Sequence, residues 1–139
     1  MDECIFCRIA AGAIPAQVIA EDERAIAFMD IAPAVPGHAL VIPRDHAEDA
    51  LAAADGDLAA CLALAARVGR AAVAELGADG VNILSSARPA AGQTVFHLHL
   101  HVLPRSAGDG FSFPWHEAGG DAAAIAAAGE RLRAALATG

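Results

Sequence analysis

The sequence predicts an α+β domain built on an antiparallel sheet of about five strands, and three observations predict it. Short runs of strand-forming residues fall into two groups, one before and one after a single long stretch of helical periodicity. The first two runs are parted only by acidic turn residues, which makes them a hairpin. The connections are also too few for repeated βαβ units. Residues 1–110 are read as the domain, with one long helix and a short N-terminal helix. Residues 111–139 are read as a C-terminal extension whose Ala-rich helix packs on or near it.

Taken in order, residues 4–12 (CIFCRIAAG) form a short helix stopped by Gly12, since glycine commonly follows a helix end. Residues 17–21 and 24–30 are the hairpin strands. Pro33, Pro36 and Gly37 mark a loop, after which Ala39, Leu40, Val41 and Ile42 form a buried strand ended by Pro43. From Gly56 to Leu76, Leu58, Leu62, Ala65, Val68, Ala72 and Leu76 recur at helical spacing, with Asp57 near the start and Gly77 beyond the end. Cys61 sits on that apolar face and is assigned to the core. Residues 80–85 read as a strand, Ser85 to Gly92 as a loop, and residues 94–103 as the clearest strand of all, closed by Pro104. The tail from Gly119 is a second helix around Ile125, Leu132 and Leu136. No internal repeat and no long linker interrupts the chain.

Composition excludes several classes. At 139 residues and 56% hydrophobic, the chain has material for one core, which excludes a disordered tail or a coiled-coil rod. Three cysteines are too few for a disulfide scaffold. No apolar run approaches the roughly 18 to 20 residues of a membrane span, and Met1-Asp2-Glu3-Cys4 lacks the basic-then-apolar order of a signal peptide. The expectation is a soluble cytoplasmic protein. A net charge of -8 repels polyanions, so neither a nucleic-acid polymer nor an anionic membrane is an expected partner. A small phosphorylated ligand stays compatible where the charge is local. All nine basic residues are arginine and roughly a quarter of the chain is alanine, a codon-level bias to which no function is attached.

The informative segment is Gly92-Gln93-Thr94-Val95-Phe96-His97-Leu98-His99-Leu100-His101-Val102-Leu103. Side chains alternate faces along a strand, so His97, His99 and His101 share one side while Leu98, Leu100 and Val102 share the other. Histidine serves as nucleophile, proton carrier, metal ligand or phosphate donor near neutral pH. The spacing alone leaves a three-histidine zinc site open. Against it stands the preceding Gly92-Gln93-Thr94, whose small residue, amide and hydroxyl suit a phosphate cradle.

GQTVFHLHLHVLPR resembles the signature of the histidine-triad (HIT) family of nucleotide hydrolases and transferases, in which three histidines alternate with hydrophobic residues. The opening half, CIFCRIAAGAIPAQVIAEDERAIAFMDIAPAVPGHALVIPRDH, is similar in order and spacing to the Hint-like branch, so the resemblance covers about residues 4–105. It implies that the middle histidine, His99, attacks the α-phosphate of a nucleotide and forms a covalent nucleotidyl-histidine that water hydrolyses. One His99 ring nitrogen then donates to a backbone carbonyl, while His101 donates to phosphate oxygens. The resemblance further implies that Gln93 and Thr94, after Gly92, contact the phosphate or assist the leaving group. It makes Asp30 the acceptor of ribose hydroxyls, lays Ile31 and Phe28 against the base, and has His38 buttress the triad together with His97. The sequence departs from the branch at Ser86, seven residues before Gln93, where an asparagine is usual.

Cys4 and Cys7 form a C-x-x-C pair, by itself a weak signal shared by redox motifs and buried cysteines. In bacterial members of the family such a pair binds structural zinc with two histidines, and the resemblance maps these to His46 and His97. The chemistry itself is expected to need no cofactor. His116 has no motif around it and is assigned to the surface. The implied activity is hydrolysis of a purine nucleoside phosphoramidate or a related conjugate, by a homodimer paired through residues 56–76 and 80–85. The alternatives are a dinucleoside polyphosphate hydrolase and a nucleotide-binding regulator with vestigial activity.

Overall fold

Five short strands hydrogen-bond into one antiparallel sheet, with helices on both faces. The structure, a computed structural model, describes residues 4–115 and 120–138. In chain order the elements are α1 (Ile5–Ala10), β1 (Val18–Glu21), β2 (Ala25–Met29), β3 (Ala39–Pro43), α2 (Asp55–Leu76), β4 (Gly80–Leu84), β5 (Leu100–Arg105) and α3 (Ala122–Thr138). The strands lie in the order β1-β2-β3-β5-β4. Helix α2 carries the chain from β3 to β4 past a gap that β5 later fills. His116 and the start of the tail at Gly119 lie outside the described residues. Among the described residues no helix is long and apolar enough to cross a membrane.

The period-two alternation of the strands sorts their side chains between two cores. Ala25, Ala27, Met29, Ala39, Val41 and Val102 face α2 and α3, and the small alanines let the helices approach closely. Leu64 and Val68 of α2 and Leu132 and Leu136 of α3 fill that layer. The tail helix is tied on further by Gln17 Nε2, which donates to the Ala126 carbonyl at 3.0 Å, and by the Arg131 guanidinium, which donates to the Glu75 carbonyl. On the opposite face Ile26, Phe28, Leu40 and Ile42 form a smaller core capped by Phe6 of α1. The proposed histidine site sits on this second face, because His101 pairs across the ladder with Leu40.

Two expectations need correcting. The strand predicted over 94–103 begins only at Leu100, because the preceding backbone finds other partners: the Leu98 N–H donates to the Ala47 carbonyl at 2.7 Å and the Val95 carbonyl accepts from Gln93 Nε2 at 3.0 Å. It then runs through Pro104, which pairs with Val81 of β4. The β3 partner has ended by that point, so the missing N–H of proline interrupts no ladder. Pro43 likewise lies within β3 and not after it. The buried stripe of α2 departs from the predicted one at Leu62, which is 53% exposed. Ala65, Val68 and Ala72 are buried as expected, along with Cys61, and Leu64 and Ala71 join them. In so alanine-rich a helix the faces differ little in hydrophobicity, and Leu64 rather than Leu62 fixes the rotation.

Candidate functional site

His99 stands at the threshold of β5, held at both its backbone and its ring. The Ser85 hydroxyl donates to its carbonyl at 2.7 Å. Its Nδ1 lies 2.8 Å from the His97 carbonyl. A carbonyl only accepts, so the ring proton sits on Nδ1 and the lone pair on Nε2. The edge of Phe6 packs on the ring at 5.1 Å between centroids, and the His101 ring follows at 5.0 Å.

His101 and His38 form a second chain of fixed tautomers. The Ala34 N–H donates to His38 Nδ1 at 3.0 Å, which leaves the His38 proton on Nε2. That nitrogen lies 2.9 Å from His101 Nδ1 and 3.4 Å from Asp30 Oδ2. His101 therefore accepts at Nδ1 and carries its own proton on Nε2. Burial, then the neighbouring His99 and His38, push the His101 pKa down to about 3, so the ring is a neutral donor. Burial also lowers the His38 pKa, against a raising influence from Asp30. Gly37, at φ +83°, makes the turn that delivers His38; a Cβ there would meet Leu76 Cδ1 at 2.6 Å. Asp30, His38 and His101 lie close enough to suggest a metal set, but a metal on His38 Nε2 would force its proton onto Nδ1, against the Ala34 N–H.

His97 faces elsewhere. Its Nε2–H donates to the Pro43 carbonyl at 2.9 Å, turning the Nδ1 lone pair toward Cys4 Sγ at 3.4 Å and Cys7 Sγ at 3.5 Å. His46 Nδ1 lies 3.3 Å from Cys7 Sγ. A zinc ion with two sulfur and two nitrogen ligands has sulfur-to-nitrogen edges of about 3.5 Å, so the donor set fits a closed tetrahedral site. The three motif histidines thus do not converge on one metal: His97 belongs to the cysteines, and only its carbonyl reaches toward His99.

His99 and His101 line a cavity of about 840 Å³ together with Phe28, Asp30, Ile31 and Thr94. Ser86 and Gly92 line it too, from the loop between β4 and β5. Gln93 lines the cavity as well. Its amide is committed to the main chain, Nε2 donating to the Glu48 and Val95 carbonyls and Oε1 accepting from the Arg88 N–H at 2.6 Å. It shapes the loop and offers no N–H to a phosphate. The same bond holds Arg88 at φ 78° and ψ 155°, a region that favours glycine. Arg88→Gly is therefore expected to stabilise the fold by about 1 kcal/mol, the relieved strain exceeding the entropy glycine adds to the unfolded chain. Urea unfolding checks this, and an unchanged or lower midpoint would refute it.

Sequence reasoning missed the segment after β5. Arg105 makes a bidentate pair with Asp109 at 2.7 and 3.0 Å and lies over the Phe111 ring. The chain thereby returns over the site and brings the Trp115 ring to 5.0 Å from His101 and 5.7 Å from His38. Phe113 and Trp115 both line the cavity. The available signal was the chain's single tryptophan within an aromatic and proline-rich run, FSFPW. Ser85 was also passed over in favour of its neighbour Ser86.

Residues 11–108 match the HIT domain family. A crystal structure of a Zn-bound histidine triad family protein from Mycobacterium smegmatis is 43% identical, covers 99% of this chain and 95% of its own, and superposes with a TM-score of 0.88. The protein hit of Bacillus subtilis is 40% identical over 115 residues, 82% of this chain and 79% of its own length. The adenosine 5'-monophosphoramidase of Schizosaccharomyces pombe is 40% identical over 102 residues, 73% of this chain and 74% of its own length.

Proposed function

The chain belongs to the HIT domain family, and from that membership we propose that it cleaves the α-phosphate bond of a purine nucleoside phosphoramidate or related nucleotide conjugate through a covalent nucleotidyl-histidine. The observation that carries the reading is the pair of tautomers. The His99 Nδ1–H bond to the His97 carbonyl leaves Nε2 as a nucleophile, beside a His101 whose Nε2–H is a donor. His99 Nε2 attacks phosphorus and the bond from phosphorus to the leaving amine breaks, the amine departing with a proton taken from solvent. Water then attacks phosphorus, the bond to His99 breaks, and the nucleoside monophosphate leaves. The His101 Nε2–H stabilises the phosphate oxygens in both steps. Thr94 supplies a hydroxyl near the leaving group, Asp30 takes the ribose hydroxyls, and Phe28 and Ile31 flank the base, with Ser86 and Gly92 on the phosphate side.

The cavity favours this reading over a dinucleoside polyphosphate hydrolase. Among the described residues lining it there is no arginine, and the chain has no lysine, so a string of further phosphates meets no cation. The reading is tested with adenosine phosphoramidate against diadenosine tri- and tetraphosphate, with rapid quench and intact mass to detect the adduct. Faster cleavage of the polyphosphates would overturn it. Tight monophosphate binding without turnover would make the protein a nucleotide-binding regulator.

Cys4, Cys7, His46 and His97 would hold a structural zinc ion, which would join α1 to the sheet and is not needed for the chemistry. A homodimer through α2 and β4 suits the exposed Leu62 and Val73 on α2 and the half-exposed edge strand β4. The absence of disulfides among the described residues accords with a cytoplasmic location. Residues 1–110 would form the HIT domain, with 111–139 as its extension.

A further inference from the structure

Asp30 faces two ways. Its Oδ1 accepts the Ala32 N–H at 2.8 Å, which fixes the carboxylate, and its Oδ2 lies 3.4 Å from His38 Nε2. That same nitrogen lies 2.9 Å from His101 Nδ1. The single proton on His38 Nε2 therefore has two acceptors in reach, a carboxylate oxygen and an imidazole nitrogen. The Ala34 N–H at Nδ1 and the complete burial of His38 leave it no other position. A charged acceptor draws an N–H more strongly than a neutral one at equal distance. Here the neutral acceptor is closer, which sets the two in competition.

We propose that Asp30 is a positioning residue for His101, acting through His38: ribose hydroxyls that donate to Asp30 Oδ2 leave the His38 proton wholly to His101, whose ring is thereby fixed with Nε2–H toward the phosphate. The inference rests on the nucleotide reading above, which puts the ribose at Asp30. No covalent bond changes in this step; one hydrogen bond is redirected. An imidazole that accepts more firmly at Nδ1 is more polarised and donates more strongly from Nε2. The sugar hydroxyls are then read in the chemical step as well as in binding.

The test compares adenosine phosphoramidate with its 2',3'-dideoxy analogue. In the wild type, loss of the hydroxyls should lower kcat about tenfold while KM rises no more than about threefold. In Asp30→Asn, which removes the charged competitor for the His38 proton, kcat for the dideoxy substrate should rise to the level of the ribose substrate and the difference should vanish. A second readout is ¹⁵N NMR of the two nitrogens that share the relay proton: AMP should shift His38 Nε2 and His101 Nδ1, and 2',3'-dideoxy-AMP should leave them near their unliganded positions. In the wild type, a loss on the dideoxy substrate confined to KM, or equal shifts of the two nitrogens with both nucleotides, overturns the relay. If the wild type turns over no phosphoramidate, the proposed reaction fails while the NMR comparison still decides the relay. Failure to bind AMP overturns both.

Discussion

Replacing His99 by alanine is expected to abolish the nucleotidyl adduct and to lower kcat by about four orders of magnitude or more. The size of the effect follows from the tautomers. Of the described histidines that line the cavity, His99 is the one whose Nε2 carries a lone pair, through the Nδ1–H bond to the His97 carbonyl. His101 cannot take over, because its Nδ1 accepts from His38 and its Nε2 carries the proton. Deprotonating that ring to make a nucleophile is out of reach near neutral pH. The substitution removes ring contacts with Phe6 and His101 and the hydrogen bond to the His97 carbonyl and opens no gap in the main core, so the fold should persist and nucleotide binding should remain measurable. Intact mass after rapid quench reads the adduct, and steady-state assay reads turnover. Unchanged turnover in this variant would end the covalent proposal.

The fold was legible where hydrophobic period and turn residues agree. The hairpin of β1 and β2, strand β3 and helix α2 stand where the sequence puts them within a residue, and the Ala-rich α3 begins at Ala122, three residues after the predicted start. The histidine strand was less legible, because alternation records which face a side chain takes and not whether the backbone joins a ladder. His101 lies in β5, whereas His97 and His99 precede it, in a stretch paired instead with the Ala47 carbonyl and with the Gln93 amide and Ser85 hydroxyl. The partition of the histidines was hidden for a related reason. Whether His97 turns to Cys4 and Cys7 or to the cavity depends on the carbonyl of Pro43, more than 50 residues away in sequence. Trp115 was missed because what brings it to His101 is the Arg105 and Asp109 pair, an ordinary exposed ion pair when read as sequence.

Stripping metal from the purified protein is expected to lower its melting temperature by about 10 °C, the equivalent of about 3 kcal/mol for a domain of this size. Protein purified without added metal should carry about one zinc per chain. Helix α1 explains the magnitude. Six residues are too few to hold a helix in water, so α1 depends on tertiary ties. Apart from the packing of Phe6, Ile9 and Ala10 on the smaller core, those ties are the two cysteines that bracket its first turn and the histidines they face. Burial first, and then Cys4, hold the Cys7 thiol above its ordinary pKa, so without a cation it stays a thiol that offers its histidine neighbours only a weak S–H donor. Losing α1 also loses Ile5, Phe6 and Ile9 from the wall of the cavity, and loosening His97 slackens the carbonyl that orients His99. Cys4→Ser should reproduce the fall in melting temperature, and adding a chelator to that variant should change little further. A metal-free wild type whose melting temperature is indifferent to both chelator and zinc would sink the assignment, and α1 would then have to be held by its apolar packing alone.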